Sequence, residues 1–203
     1  MLVFWKENLV FLAVPKTGTT ALEGALSPYA AMVLRNPPEI KHAPLYRYGR
    51  FLKPMFNKAA GQNPETVAVI RHPVAWLSSW YRYRNRHALV GHKNSTRGVK
   101  FDEFVTEFCK DKPDHFARVG SQAAFVFNQD GSRGVTHLFA YEHQPALLQF
   151  FEQRLGVEVT LKQLNVSPTI PAEISPKVEA MFRAAKPQEF AAYDLARASS
   201  ASA

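Results

Sequence analysis

Two short segments hold the residues best suited to chemistry, and both suit an anion. The first is Val14-Pro15-Lys16-Thr17-Gly18-Thr19-Thr20-Ala21-Leu22. Gly18 lets the backbone curl without a Cβ clash, and a helix beginning there offers unpaired N–H groups and a partial positive charge. Thr17, Thr19 and Thr20 add hydroxyl donors, and Lys16 adds a full charge on a flexible stem. The G-x-x-x-x-G-K-[ST] phosphate loop is absent, because here the lysine precedes the glycine. The second segment runs from Val69 to Tyr81. Arg71 leaves a β-branched run, and Ser79 lies two turns into the helix that Pro73 can open. A guanidinium can fork two oxygens of one phosphate while a hydroxyl reaches a third. Each segment also has a commonplace reading: a threonine-capped turn, and an arginine ion pair beside a buried serine.

The elements that must position these residues alternate between strand and helix. Leu9–Val14 and Val67–Ile70 read as strands, the second a continuous apolar run of the kind buried parallel strands show. Helices are expected over Thr19–Leu26, Leu45–Lys53 ending at Pro54, Val74–Arg84, Phe101–Lys110, around Gln122, and Pro145–Leu155 closed by Gly156. Val33–Leu34 and Gly134–Phe139 are candidate short strands, and Arg86–Val99 reads as a long loop. This order argues for an α/β fold with a mainly parallel sheet, in which ligands bind beyond the carboxyl ends of the strands. Both anion segments fall at such ends.

Composition sets the outer bounds. At 203 residues, 46% of them hydrophobic, the chain is expected to form a single domain over residues 1–196, with a fraying Ala/Ser tail at 197–203. A lone cysteine, Cys109, excludes an internal disulfide and reads as an inert buried thiol. The apolar stretch Leu9–Val14 is too short for a signal h-region or a membrane span, so no span and a cytoplasmic location are expected. A net charge of +8 and a pI near 9.7 point to polyanionic partners. Between Arg71 and Lys100 there are seven Lys and Arg residues and no Asp or Glu, either a solvated basic face or part of a binding surface.

Taken together, the segments resemble the sulfotransferase superfamily, especially its carbohydrate-type and bacterial members. Pro15 to Thr20 is similar to that family's 5′-phosphosulfate loop, and Arg71, Pro73, Ser79 and Tyr81 resemble its 3′-phosphate site. Weaker echoes continue in Tyr141-Glu142, Leu155-Gly156, Leu164-Asn165-Val166-Ser167 and Tyr193-Asp194, so the resemblance spans about residues 8 to 195 in order. Many relatives carry an acidic residue where this chain has His72 and a second arginine where it has Trp76. The resemblance implies a three-layer, P-loop-like fold. It also implies 3′-phosphoadenosine 5′-phosphosulfate (PAPS) as sulfuryl donor, adenosine 3′,5′-bisphosphate (PAP) as product, and no metal. Pro15, Lys16, Thr17, Gly18, Thr19, Thr20, Arg71 and Ser79 would then hold the nucleotide, with Lys16 serving the bridging oxygen as its bond to sulfur breaks.

A hydroxyl acceptor needs a general base, and histidine titrates in the right range. His42, in Ile40-Lys41-His42-Ala43 after the first helix, is the candidate, with Glu39 in reserve should the acceptor be an amine. His87 and His92 sit in a basic loop without nearby Cys or carboxylate, a weak zinc signal. The expected partner is a small-molecule or carbohydrate acceptor and not nucleic acid. Two rival readings stand beside this one. A P-loop kinase or nucleotide hydrolase would require the missing phosphate loop and a magnesium-binding Asp. A non-enzymatic basic module binding nucleic acid or an acidic glycan would use Trp80, Tyr81, Arg82, Tyr83, Arg84 and Arg86.

Overall fold

The computed structural model describes residues 1–128, 134–161 and 170–201. The two expected apolar runs become β2 (Leu9–Leu12) and β4 (Glu65–Ile70), paired in parallel with Leu9 opposite Glu65 and Leu12 opposite Ala68. Strand β5 (His137–Ala140) joins β4 in the same direction, Ile70 lying opposite Ala140. The rest of the sheet corrects the expectation of a mainly parallel one. Strand β1 (Leu2–Phe4), absent from the sequence reading, returns through Trp5–Asn8 to pair antiparallel with β2. So tight a connection permits no parallel pairing. On its other side β1 pairs antiparallel with β3 (Met32–Val33). The molecule is therefore α/β, with a five-strand mixed sheet of order β3-β1-β2-β4-β5 flanked by helices.

In chain order the helices are α1 Thr19–Leu26, α2 Pro38–Lys41, α3 Leu45–Arg47, α4 Lys53–Ala60, α5 Pro73–Arg84, α6 Phe101–Phe108, α7 Ala123–Val126, α8 Gln144–Leu155, α9 Pro176–Ala185 and α10 Pro187–Ala201. Alternate strand residues cover opposite faces, as the two-residue period requires. Val10, Leu12, Ala68, Ile70 and Leu138 share a cluster with Phe56 of α4 and Ala192 and Ala196 of α10. Leu9, Phe11, Val67, Val69 and Phe139 pack with Leu22 and Leu26 of α1 and Leu147 and Phe151 of α8. A third cluster joins Trp76, Leu77 and Tyr81 of α5 to Phe101, Phe104 and Phe108 of α6 and Phe182 of α9.

One expectation about a helix end needs correcting. Pro54 does not stop the helix before it. A π-helical turn over Tyr48–Leu52 links α3 to α4, and Pro54 sits in the first turn of α4, where a missing N–H is tolerated. Of the Ala/Ser tail, the described residues to Ala201 continue α10. Ala196 is buried against the sheet, and Ser200 Oγ accepts a 2.9 Å bond from Ala140 N while donating to Ala196 O. The Leu164–Ser167 segment lies outside the described residues. Among the described residues no helix is long and apolar enough to cross a membrane.

Candidate functional site

Three adjacent parallel strands end side by side, and each end carries a distinctive side chain. The chain leaving β2 supplies Lys16 and Gly18, that leaving β4 supplies Arg71, and that leaving β5 supplies Tyr141. Tyr141 links the other two. Its ring lies 4.8 Å from the Arg71 guanidinium, and a Cβ on Gly18 would come within 3.0 Å of its Cε2. Glycine is favoured there, because a Cβ would crowd the Tyr141 ring and a φ of 72° strains other residues.

The Pro15–Thr20 loop is braced from within. Thr17 is 1% exposed and its hydroxyl donates to Val14 O at 2.9 Å, so it closes the turn instead of facing outward. Pro15 O accepts a 2.9 Å bond from the Trp76 indole. Lys16 has a φ of 69°, a left-handed conformation rarely adopted by a residue with a Cβ, and one that marks stored local strain. Gly18 caps α1 without any side-chain hydrogen bond. The first amides of α1, from Thr19 (buried) and Thr20 (exposed), thus keep their donors, as an anion requires.

Lys16 Nζ stands 4.4 Å from the ring centre of Tyr83 and 5.8 Å from that of Trp80. Burial, followed by the charges of Arg86 and Arg71, lowers its pKa from 10.5 to about 8. Among the described residues Lys16, Arg71 and Arg86 form no ion pair with a carboxylate. Arg71 Nε and Trp80 Nε1 are buried donors without a partner among those residues. Cations clustered without counter-charge, beside unfilled donors, form a site that gains by taking up an anion.

Arg71 is fixed through its main chain. Gln122, fully buried, accepts from Arg71 N and donates to Arg71 O, both at 2.8 Å. Gln122 is held in turn by Glu189, which accepts from Gln122 N at 3.1 Å, from Ala123 N at 3.4 Å and from the Ser121 hydroxyl. Burial raises the Glu189 pKa despite those bonds. One residue further on, His72 N donates to Glu142 Oε1 at 3.0 Å. The turn leaving β4 is thereby tied to both β5 and α7.

Helix α5 turns Trp76, Ser79, Trp80 and Tyr83 toward one side by their three- and four-residue spacing. Trp76, Trp80 and Tyr83 all touch the Pro15–Lys16 loop, and Ser79 shares their stripe. Ser79 is half-buried and makes no hydrogen bond to Arg71 in this structure. His42, just past α2, lies beside β2: its Nδ1–H donates to Ala13 O at 2.7 Å. A carbonyl can only accept, so the proton sits on Nδ1 and the lone pair on Nε2. Burial, the largest effect, lowers the His42 pKa and so favours the neutral ring. The preceding Lys41 pairs with Glu23 of α1 at 2.8 Å, which anchors the segment, whereas Glu39 is exposed.

Much of the basic stretch is consumed by the fold. Arg84 is buried and donates to the carbonyls of His115, Phe116 and Arg118, and Arg82 Nε donates to Ile170 O. Tyr81 OH donates to Val99 O. Among the described residues no group of three His, Cys, Asp or Glu side chains could hold a metal ion. Cys109 is partly buried at the end of α6, and burial raises its pKa.

No protein-family model, no curated protein and no solved structure matches this chain. The geometry therefore stands on its own. It brings Lys16, Gly18, Thr19, Thr20 and Arg71 to one end of the sheet, with Ser79 on the helix face beside them and His42 on the strand exit. Sequence reasoning missed Gln122, Tyr141 and the cage of Trp80 and Tyr83 as parts of this site. The spacing from Trp76 to Trp80 and Tyr83 on one face of the expected helix was the available signal.

Proposed function

We propose that this chain is a PAPS-dependent sulfotransferase of three-layer, P-loop-like architecture, acting on a hydroxyl or amine acceptor such as a carbohydrate. The observation that carries the reading is the pairing of two unneutralised cations, Lys16 and Arg71, at the carboxyl ends of neighbouring parallel strands. Two anion sites on adjacent strand ends suit a nucleotide with phosphates at both its 5′ and 3′ ends. Helices on both faces of the sheet accord with the proposed layering.

In the reaction the acceptor oxygen forms a bond to sulfur as sulfur's bond to the bridging oxygen breaks. The acceptor proton passes to His42 Nε2, and PAP leaves with the electron pair. Lys16, Thr19, Thr20 and the first amides of α1 neutralise the charge that grows on the leaving phosphate, the main service such transfers need. Arg71 and Ser79 hold the 3′-phosphate.

The consumption of Arg82, Arg84 and Tyr81 by internal hydrogen bonds weighs against a nucleic-acid or glycan module built on that stretch. Melting temperatures with PAP, ATP/Mg²⁺ and heparin separate the readings. A ligand at 100 times its dissociation constant adds ~2.7 kcal/mol of stability. A shift with PAP well above that with ATP is expected; equal shifts, or a shift with heparin alone, overturn the assignment.

A further inference from the structure

We propose that the helical arm from Leu45 to Ala60 docks on an anionic lipid-bilayer surface. This inference is independent of the sulfotransferase reading and rests on what the arm leaves in solvent. Only Leu45, Tyr48, Leu52 and Phe56 turn inward; the other residues of the arm are exposed. Phe51 is 63% exposed, Tyr46 52% and Met55 45%. Three large apolar side chains are exposed within ten residues of one short arm, a local concentration unlike the scattered exposed residues that need no explanation.

The charges of the arm are of one sign. Arg47, Arg50, Lys53 and Lys58 are exposed, and from Ile40 to Pro64 the chain has no Asp or Glu. None of the four pairs with a carboxylate among the described residues. Arg47 lies instead against the Tyr46 ring at 5.8 Å, and Arg50 against Phe51 at 5.4 Å. Both arginines thus sit directly beside an exposed aromatic ring. A bilayer surface accepts both, taking cations at the headgroups and aromatic or thioether side chains at the acyl boundary. An acidic polysaccharide matches the cations but gives Phe51 and Met55 nothing to enter, so the bilayer is favoured. The inward stripe of Tyr48 and Phe56 keeps the arm seated on the core while its outer side engages.

The test is co-sedimentation of the full chain with vesicles of phosphatidylcholine alone and with vesicles containing roughly one-third phosphatidylserine. Binding to the anionic vesicles only, weakened by salt, is expected. Arg47→Ala/Arg50→Ala should weaken it about 30-fold, and Phe51→Ser at least about tenfold. Lys93→Ala/Arg97→Ala removes equal charge from an exposed loop and should leave binding nearly intact. Circular dichroism and melting temperature confirm that each variant is folded. The proposal is overturned by no binding to anionic vesicles, or by equal losses in the two double variants. Loss of heparin binding without any vesicle binding, or a lipid-free dimer abolished by Phe51→Ser, also overturns it.

Discussion

Gln122 grips Arg71 by both main-chain groups, accepting from its N–H and donating to its C=O at 2.8 Å each. One amide side chain thus does for Arg71 what a neighbouring strand would do, just where β4 leaves the sheet. The guanidinium is free for other work because its backbone is secured. Replacing Gln122 with Ala strands two part-buried backbone groups and should cost about 1–3 kcal/mol of stability. It should also weaken PAP binding, although Gln122 offers its polar atoms to Arg71 and not to a ligand. Chemical denaturation and calorimetric titration measure the two effects; full stability with unchanged affinity would contradict the bracing role.

Arg71→Ala should weaken PAP binding by about 2–5 kcal/mol, the range for removing one partner of a desolvated charge pair. Ser79→Ala should cost about 1 kcal/mol, one hydrogen bond. Titration calorimetry gives both numbers. Wild-type affinity in the Arg71 variant moves the 3′-phosphate elsewhere.

Lys16 offers a prediction about stability that needs no ligand. Its folded pKa of about 8 lies below the unfolded 10.5, so the folded state holds the charged form at a disadvantage. That disadvantage is complete below pH 8 and disappears as pH rises toward 10.5, because the folded state then sheds its proton first. Lys16→Met should therefore raise the melting temperature of the ligand-free protein at pH 7, by about 2–4 °C for each kcal/mol recovered. The gain should shrink above pH 8. A Lys16→Met protein less stable than wild type at pH 7 would show that the Tyr83 cage outweighs desolvation.

His42 should act as a base in its neutral form, which its lowered pKa favours. The acid limb of the turnover profile should accordingly lie below the ordinary histidine value of 6.5. His42→Ala should keep nucleotide affinity, lose turnover roughly 10²–10⁴-fold, and lose that limb. Near-normal turnover would hand the role to Glu39 or to the loop holding His87 and His92.

How far the sequence revealed these features follows from the range of the forces involved. Strands β2 and β4 and helices α5 and α8 were readable because an apolar run, Pro73 and Gly156 act locally. Strand β1 was not, since the short apolar run from Met1 to Trp5, before Lys6 and Glu7, yields a strand only where β2 and β3 flank it. Ser175 caps α9 by accepting from Val178 N, with Pro176 at its first position, a local start signal of the same kind as Pro73. The Pro15–Thr20 loop and the turn at Arg71 were visible as residue types in order. Gln122 and Tyr141 were not visible as site residues, because their partners lie 51 residues away for Arg71 and across two strand ends for Gly18.

The most direct measurement is transfer of a labelled sulfuryl group from PAPS to a panel of sugars, phenols and amines, by wild type and by Lys16→Ala. Wild type should label at least one acceptor class. Lys16→Ala should bind PAP nearly as well yet lose turnover far more than affinity, the pattern of a contact made chiefly in the transition state. No transfer to any acceptor together with no affinity for PAP, or equal transfer by the two proteins, would contradict the proposed chemistry.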